Sequence, residues 1–152
     1  MQTTQPTTHI RWMLRRDLPE MLDIERLCFD FPWREEDFIR ELRKASIIGM
    51  TAERDERIVG YMLYELFPSR IALLNFAVRP SLHGEGIGRA MMEKLKGKLS
   101  LNRRHKITVK VRERNLEGQL FFKHMGFAAV DVLRDHYDDS PGEDAYLFEF
   151  CL

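Results

Sequence analysis

The sequence predicts an α/β fold built on a mixed sheet. Predicted strands and helices interleave from Ile10 to Cys151 of the 152 residues. The strands cluster in groups instead of alternating one for one with helices, which excludes a pure βαβ repeat. One nearly continuous apolar run, Ile71 to Val78, reads as a central strand buried on both faces. The length fits one domain, expected over residues 9–152, with a polar, flexible tail over residues 1–8.

Each element has its own signal. Ile10 to Leu14 reads as a short strand. Asp17, with Glu20 three residues later, has capping-box spacing. Leu18, Met21, Leu22, Glu25 and Cys28 follow helical spacing, so a helix is expected over Leu18 to Cys28. Pro32 punctuates the break over Phe29 to Trp33. Glu35 to Lys44 forms a second, charged helix with Phe38, Ile39 and Leu42 on one side. Ile47 to Ala52 and Ile58 to Leu66 flank a charged turn and read as a hairpin. The charge run from Glu53 to Arg57 is read as solvated. Pro68 and Ser69 turn the chain into the apolar strand, which Arg79 and Pro80 end because proline cannot donate to a ladder.

A glycine-rich segment then opens a helix carrying Ile87, Met91, Leu95 and Leu99 on one stripe. Lys106 to Val111 is a strand. Asn115 caps a helix running to about Met125, which Gly126 ends. Phe127 to Leu133 and Tyr146 to Cys151 are the last strands, joined through a polar loop over His136 to Gly142. Seven strands and four helices result.

Composition narrows the function. Apolar residues make up 44% and charged residues 32%, an ordinary globular mixture. Twenty-four basic residues balance twenty-four acidic ones, which argues against a general nucleic-acid binder. Cys28 and Cys151 lack zinc-ligand spacing, so no metal is expected. No apolar run has membrane-spanning length, and the polar N-terminus is not a secretory signal, so the expected address is the cytoplasm.

The chemistry concentrates in His83-Gly84-Glu85-Gly86-Ile87-Gly88-Arg89. Three alternating glycines let the backbone turn tightly and bring N–H groups together. The following helix start adds free donors and a positive dipole end. Such a turn can cradle a diphosphate or simply start a helix. Arg89-Ala90 stands where a P-loop needs Lys-Ser/Thr, and the glycine spacing is not that of a dinucleotide fold.

In its context this segment resembles the phosphate motif of the GNAT superfamily of acetyl-CoA-dependent N-acyltransferases, Gln/Arg-x-x-Gly-x-Gly/Ala. The nearest subgroup is the RimI-like N-terminal acetyltransferases of ribosomal proteins. Phe31-Pro32-Trp33 between the first two helices, Asn75-Phe76-Ala77-Val78, Val111-Arg112-Glu113-Arg114-Asn115 and Gly126-Phe127 match that subgroup over roughly residues 10–152. The resemblance implies a mostly antiparallel mixed sheet and acetyl-CoA as co-substrate. It implies that the backbone of Phe76, Ala77 and Val78 pairs with the pantetheine arm as an added strand. His83, Gly84, Glu85, Gly86, Ile87, Gly88 and Arg89 would hold the pyrophosphate, and Asn115 would bond the pantetheine arm. Phe31, Pro32 and Trp33, with Tyr137, would line the acceptor groove.

The pattern is broken at two positions. The subgroup's glutamate base is Lys110 here and its tyrosine acid is Phe122. A protonated lysine repels an ammonium acceptor but can favour a departing thiolate. Phe122 can pack on the cofactor and has no proton to give. Tyr137 in the Asp135-His136-Tyr137-Asp138 loop is the substitute donor, ahead of His136, His124 and Glu65. The leading expectation is direct acetyl transfer to the α-amine of a protein or peptide N-terminus, a ribosomal protein among the candidates, by a monomer or weak dimer. Acetylation of a small amine, and a CoA-binding regulator without catalysis, are the alternatives.

Overall fold

The structure, a computed structural model, describes residues 7–152. Most of the expected N-terminal tail therefore lies outside the described residues. Among the described residues there are seven strands and four α-helices: β1 His9–Trp12, α1 Leu18–Cys28, α2 Glu35–Leu42, β2 Ile47–Arg54, β3 Arg57–Leu66, β4 Arg70–Val78, α3 Ile87–Lys96, β5 Lys106–Arg112, α4 Leu116–His124, β6 Ala128–Leu133 and β7 Ala145–Cys151. The strands run in the order β1-β2-β3-β4-β5-β7-β6. β4 and β5 are parallel, whereas β1–β2, β5–β7 and β6–β7 are antiparallel. The expected α/β class with a mixed, mostly antiparallel sheet is the observed one. No helix of the described residues is long and apolar enough to cross a membrane.

The chain forms two compact units, each drawn from two stretches. The first is Met1–Leu63 with Asn75–Lys94, and the second is Tyr64–Leu74 with Leu95–Leu152. In the first, Met21 and Ile24 of α1, Phe38 of α2, Tyr61 and Met62 of β3 and Met91 of α3 are fully or almost fully buried. Gly60 allows a close approach there, since a Cβ would stand 2.9 Å from both the Ala77 carbonyl and Met91 Sδ. In the second unit, Ile71, Ile107, Val109, Phe122, Phe127 and Phe148 form the core.

Several local expectations need correction. β1 covers His9–Trp12, not Ile10 to Leu14. Asp17 is not part of a capping box with Glu20. Arg11 takes both Asp17 oxygens at 2.7 and 2.9 Å, and the Leu14 amide donates to Oδ2 at 2.8 Å. Glu20 instead accepts from the Ile58 amide at 3.1 Å and from Arg57. The Arg11 guanidinium and the Leu14 amide hold Asp17 below the usual carboxylate range against its burial, which acts upward.

The charged turn is shorter than read. Only Asp55 and Glu56 leave the ladder, at φ 49° and 64°, the left-handed pair of a two-residue hairpin. β4 is not buried on both faces either. Ile71, Leu73, Asn75 and Ala77 are buried, while Ala72, Leu74 and Phe76 on the other face are half-buried. Its register with β5 runs from Arg70↔Lys106 to Leu73↔Val109 and ends there.

Candidate active site

In the first unit the glycine-rich segment links the end of β4 to α3. Gly84 and Gly86 have φ of 85° and 84°, a region that side chains rarely adopt. Among the described residues, a Cβ built on either would meet no atom within 4 Å beyond its chain neighbours, so both face open space. Gly88 lies inside α3 and does not shape the turn. The first intrahelical bond runs from the Ala90 amide to the Gly86 carbonyl at 3.0 Å. The amides of the preceding first turn have no intrahelical acceptor. Open space beside two left-handed glycines and unmatched helix-start amides fits a diphosphate, and the fit rests on backbone. Arg89 is exposed and Ile87 is buried in the core.

His83 stands where the family motif has Gln or Arg. Its Nε2 donates to the Val78 carbonyl at 2.8 Å, since a carbonyl can only accept. Cys28 Sγ donates to the same oxygen at 3.2 Å. The Phe76 amide donates to Asn75 Oδ1 at 2.9 Å. Two main-chain groups expected to pair with pantetheine therefore already have partners, and a cofactor arm would share or exchange them.

The Phe31-Pro32-Trp33 segment joins α1 to α2. Trp33 packs on Phe38 at 5.1 Å between ring centroids, and Phe38 meets Tyr61 edge-on at 5.8 Å. Behind them lies a carboxylate that sequence reading placed only on the α1 stripe. Glu25 is 1% exposed. Its Oε2 accepts from the Trp33 amide at 2.9 Å, and its Oε1 accepts from Asn75 Nδ2 at 2.8 Å and from the Tyr61 hydroxyl. Burial pushes the Glu25 pKa up against the lowering effect of these three bonds. Burial and the adjacent Glu25 push the Tyr61 phenol far up.

The second unit holds the other candidates. Lys110 on β5 is exposed, so the desolvation a lysine base requires is missing. Asn115 caps α4, its Oδ1 accepting from the Gly118 amide at 2.9 Å. Phe122 is only 6% exposed and packs against Phe121 and Phe127, each 5.3 Å away, and Phe148. The structure uses Phe122 as core.

Tyr137 is half-buried in the β6–β7 loop, with the Arg112 guanidinium 3.7 Å above its ring. Burial raises its pKa, partly countered by Arg112, so the phenol is a neutral donor at pH 7. The loop is locked by groups that looked like ordinary polar loop residues. Arg112 forks to Glu143 at 3.0 Å and Asp139 at 2.8 Å. Glu143, 2% exposed, also accepts from the Arg114 amide at 3.3 Å. Asp144 accepts from the Asp135 amide, and its own amide donates to Glu113, both at 2.9 Å. The signal in the sequence was acidic Glu143-Asp144 beside a glycine turn, facing Arg112-Glu113 at the end of β5. His136 and His124 are exposed.

The sequence model described as the acetyltransferase (GNAT) family matches residues 18–127. The chain is 26% identical over 132 residues to the ribosomal protein bS18-alanine N-acetyltransferase of Salmonella typhimurium, covering 86% of this chain and 88% of that protein. Its fold is similar to the crystal structure of the ribosomal-protein-S18-alanine N-acetyltransferase from Escherichia coli, with a TM-score of 0.82 and 23% identity, covering 95% and 94% of the two chains. It is also similar to Arabidopsis thaliana NAA60 in complex with acetyl-CoA, with a TM-score of 0.81 and 18% identity, covering 96% and 100%.

Proposed function

The chain belongs to the acetyltransferase (GNAT) family, and from that premise we propose that it transfers an acetyl group from acetyl-CoA directly to the α-amine at the N-terminus of a protein or peptide. The observation that carries the cofactor half is the turn at Gly84 and Gly86, left-handed and facing open space ahead of the first turn of α3. The acceptor half is supported by the Salmonella relative, whose acceptor is a ribosomal protein, and by the Trp33 segment held on Glu25. A cytoplasmic address and a monomer or weak dimer belong to the same reading.

Acetyl-CoA supplies an acetyl thioester that an amine can attack. The chain's own groups then have defined tasks. The amides at the start of α3 hold the diphosphate, and Asn115 Nδ2 donates to the pantetheine arm. The Tyr137 hydroxyl donates a proton to the leaving sulfur and regains one from solvent, which also takes up the proton that the new amide nitrogen loses. With exposed Lys110 in the place of a carboxylate, the acceptor ammonium loses its proton to solvent. No covalent intermediate on the protein is required.

Two assays run together test this. Acetyl-CoA turnover is measured with peptides bearing a free α-amine, with the same peptides α-blocked but containing lysine, and with a polyamine, beside a calorimetric titration of CoA. Turnover confined to free α-amines is expected. Turnover of the polyamine alone would move the assignment to a small-amine acetyltransferase, and CoA binding without turnover would make the chain a regulator.

Tyr137→Phe keeps the ring on Arg112 and removes only the hydroxyl. It should lower kcat/KM at least about tenfold, within the range of a positioned acid, with acetyl-CoA affinity unchanged. Wild-type kinetics would remove Tyr137 from the reaction. Lys110→Glu restores the family's carboxylate and should raise peptide acetylation at equal CoA affinity. A fall to background would give Lys110 a role of its own.

A further inference from the structure

We infer that Arg54 is a positioning residue for the diphosphate, acting through Glu85; this rests on the acetyl-CoA reading and names a residue outside the glycine motif. Arg54 belongs to the charge run that reads as solvated, yet its side chain is only 12% exposed. The two-residue turn at Asp55 and Glu56 keeps Arg54 as the last residue of β2. All three guanidinium nitrogens are engaged. Nε donates to Thr8 Oγ1 at 2.9 Å, Nη1 to Glu85 Oε1 at 2.7 Å and Nη2 to the Glu85 carbonyl at 3.4 Å.

Glu85 lies between Gly84 and Gly86, the two residues that set the turn. A carboxylate there is a like charge beside the place where a diphosphate would meet the backbone. Arg54 counters that charge through a short, charge-assisted bond, and its second contact, to the Glu85 carbonyl, holds the backbone of the turn. Arginine suits the task because its planar fork reaches two oxygens of one residue, the Glu85 carboxylate and carbonyl. Glu85 is tolerated in a phosphate turn because Arg54 is bound to it.

The test is a cycle of binding titrations with two probes, acetyl-CoA and S-acetylpantetheine, which lacks the diphosphate. Arg54→Ala should weaken acetyl-CoA at least about tenfold, or about 1.4 kcal/mol, and leave S-acetylpantetheine unchanged. The loss should shrink at high salt, where the exposed Glu85 charge is screened. Glu85→Gln added to Arg54→Ala should recover most of the affinity, because the charge that needed countering is gone. Arg54→Lys keeps the charge and loses the fork, so it should fall between wild type and Arg54→Ala; it also serves if the alanine variant does not fold. Unchanged acetyl-CoA affinity in both Arg54 variants, equal loss of both probes, or no recovery in the double variant would overturn the inference. If the wild-type chain bound S-acetylpantetheine and not acetyl-CoA, or neither, the acetyl-CoA reading would fall and this inference with it.

Discussion

Gly86→Val should reduce acetyl-CoA affinity at least about tenfold, which is about 1.4 kcal/mol. Two effects act together. Gly86 has φ 84°, where an L side chain costs roughly 1–2 kcal/mol and a β-branched one is a genuine outlier. The new side chain would also enter the open space that suits a diphosphate, since among the described residues no atom beyond its chain neighbours lies within 4 Å of its Cβ. The strain alone should lower Tm by several degrees in a chain of this size. Gly142 separates the two effects. It has φ 85° and the same open surroundings, but it lies in the Tyr137 loop. Gly142→Val should show a comparable drop in Tm with acetyl-CoA affinity intact. If Gly86→Val lost stability and kept its affinity in the same way, the diphosphate would not bind at this turn.

Elements governed by local pattern were legible in the sequence. The Leu18–Cys28 helix follows from its apolar spacing, and the Asn115 cap follows from the residue itself. Partners distant in the chain were not legible. Asp17 looked like a cap until Arg11, on a strand six residues earlier, took both its oxygens. Arg54 looked solvated because nothing local marks Glu85, thirty-one residues on, as its partner. Glu25 looked like a polar interruption of an apolar stripe, because its three donors come from separate elements. The glycine motif announced a turn, but spacing alone does not tell that Gly84 and Gly86 shape it while Gly88 is helical. The reading that Lys110 and Phe122 stand in the places of a base and an acid comes from the resemblance alone, since neither residue marks itself locally. The burial of Phe122 in an aromatic core explains why a hydroxyl is not missed there structurally.

Removing the Glu25 carboxylate should cost the most stability. Glu25→Ala strands three donors, the Tyr61 hydroxyl, the Asn75 carboxamide and the Trp33 amide, in a site only 1% exposed at its centre. At roughly 1–3 kcal/mol per stranded group the loss is several kcal/mol, a large share of a typical 5–15 kcal/mol. Tm should fall by about 10 °C or more. Glu25→Gln is the finer probe. With its carbonyl in the Oε1 place it keeps Tyr61 and Asn75, but its NH₂ then faces the Trp33 amide, donor to donor. The variant should fold, bind acetyl-CoA as before and show a raised KM for peptide, because only the Trp33 segment loses its tether. The pH dependence has a definite sign. Burial raises the folded pKa of Glu25 above its ordinary 4.5, so in the window above 4.5 the native state binds the proton more readily than the unfolded chain. Stability from this group therefore falls as pH rises through that window, and it is fully present below it. Thermal melts from about pH 4 to 7 should show the stability of wild type relative to Glu25→Gln declining as pH increases. A gap that widened with pH would mean that the three hydrogen bonds outweigh burial and that the fold selects the ionised carboxylate.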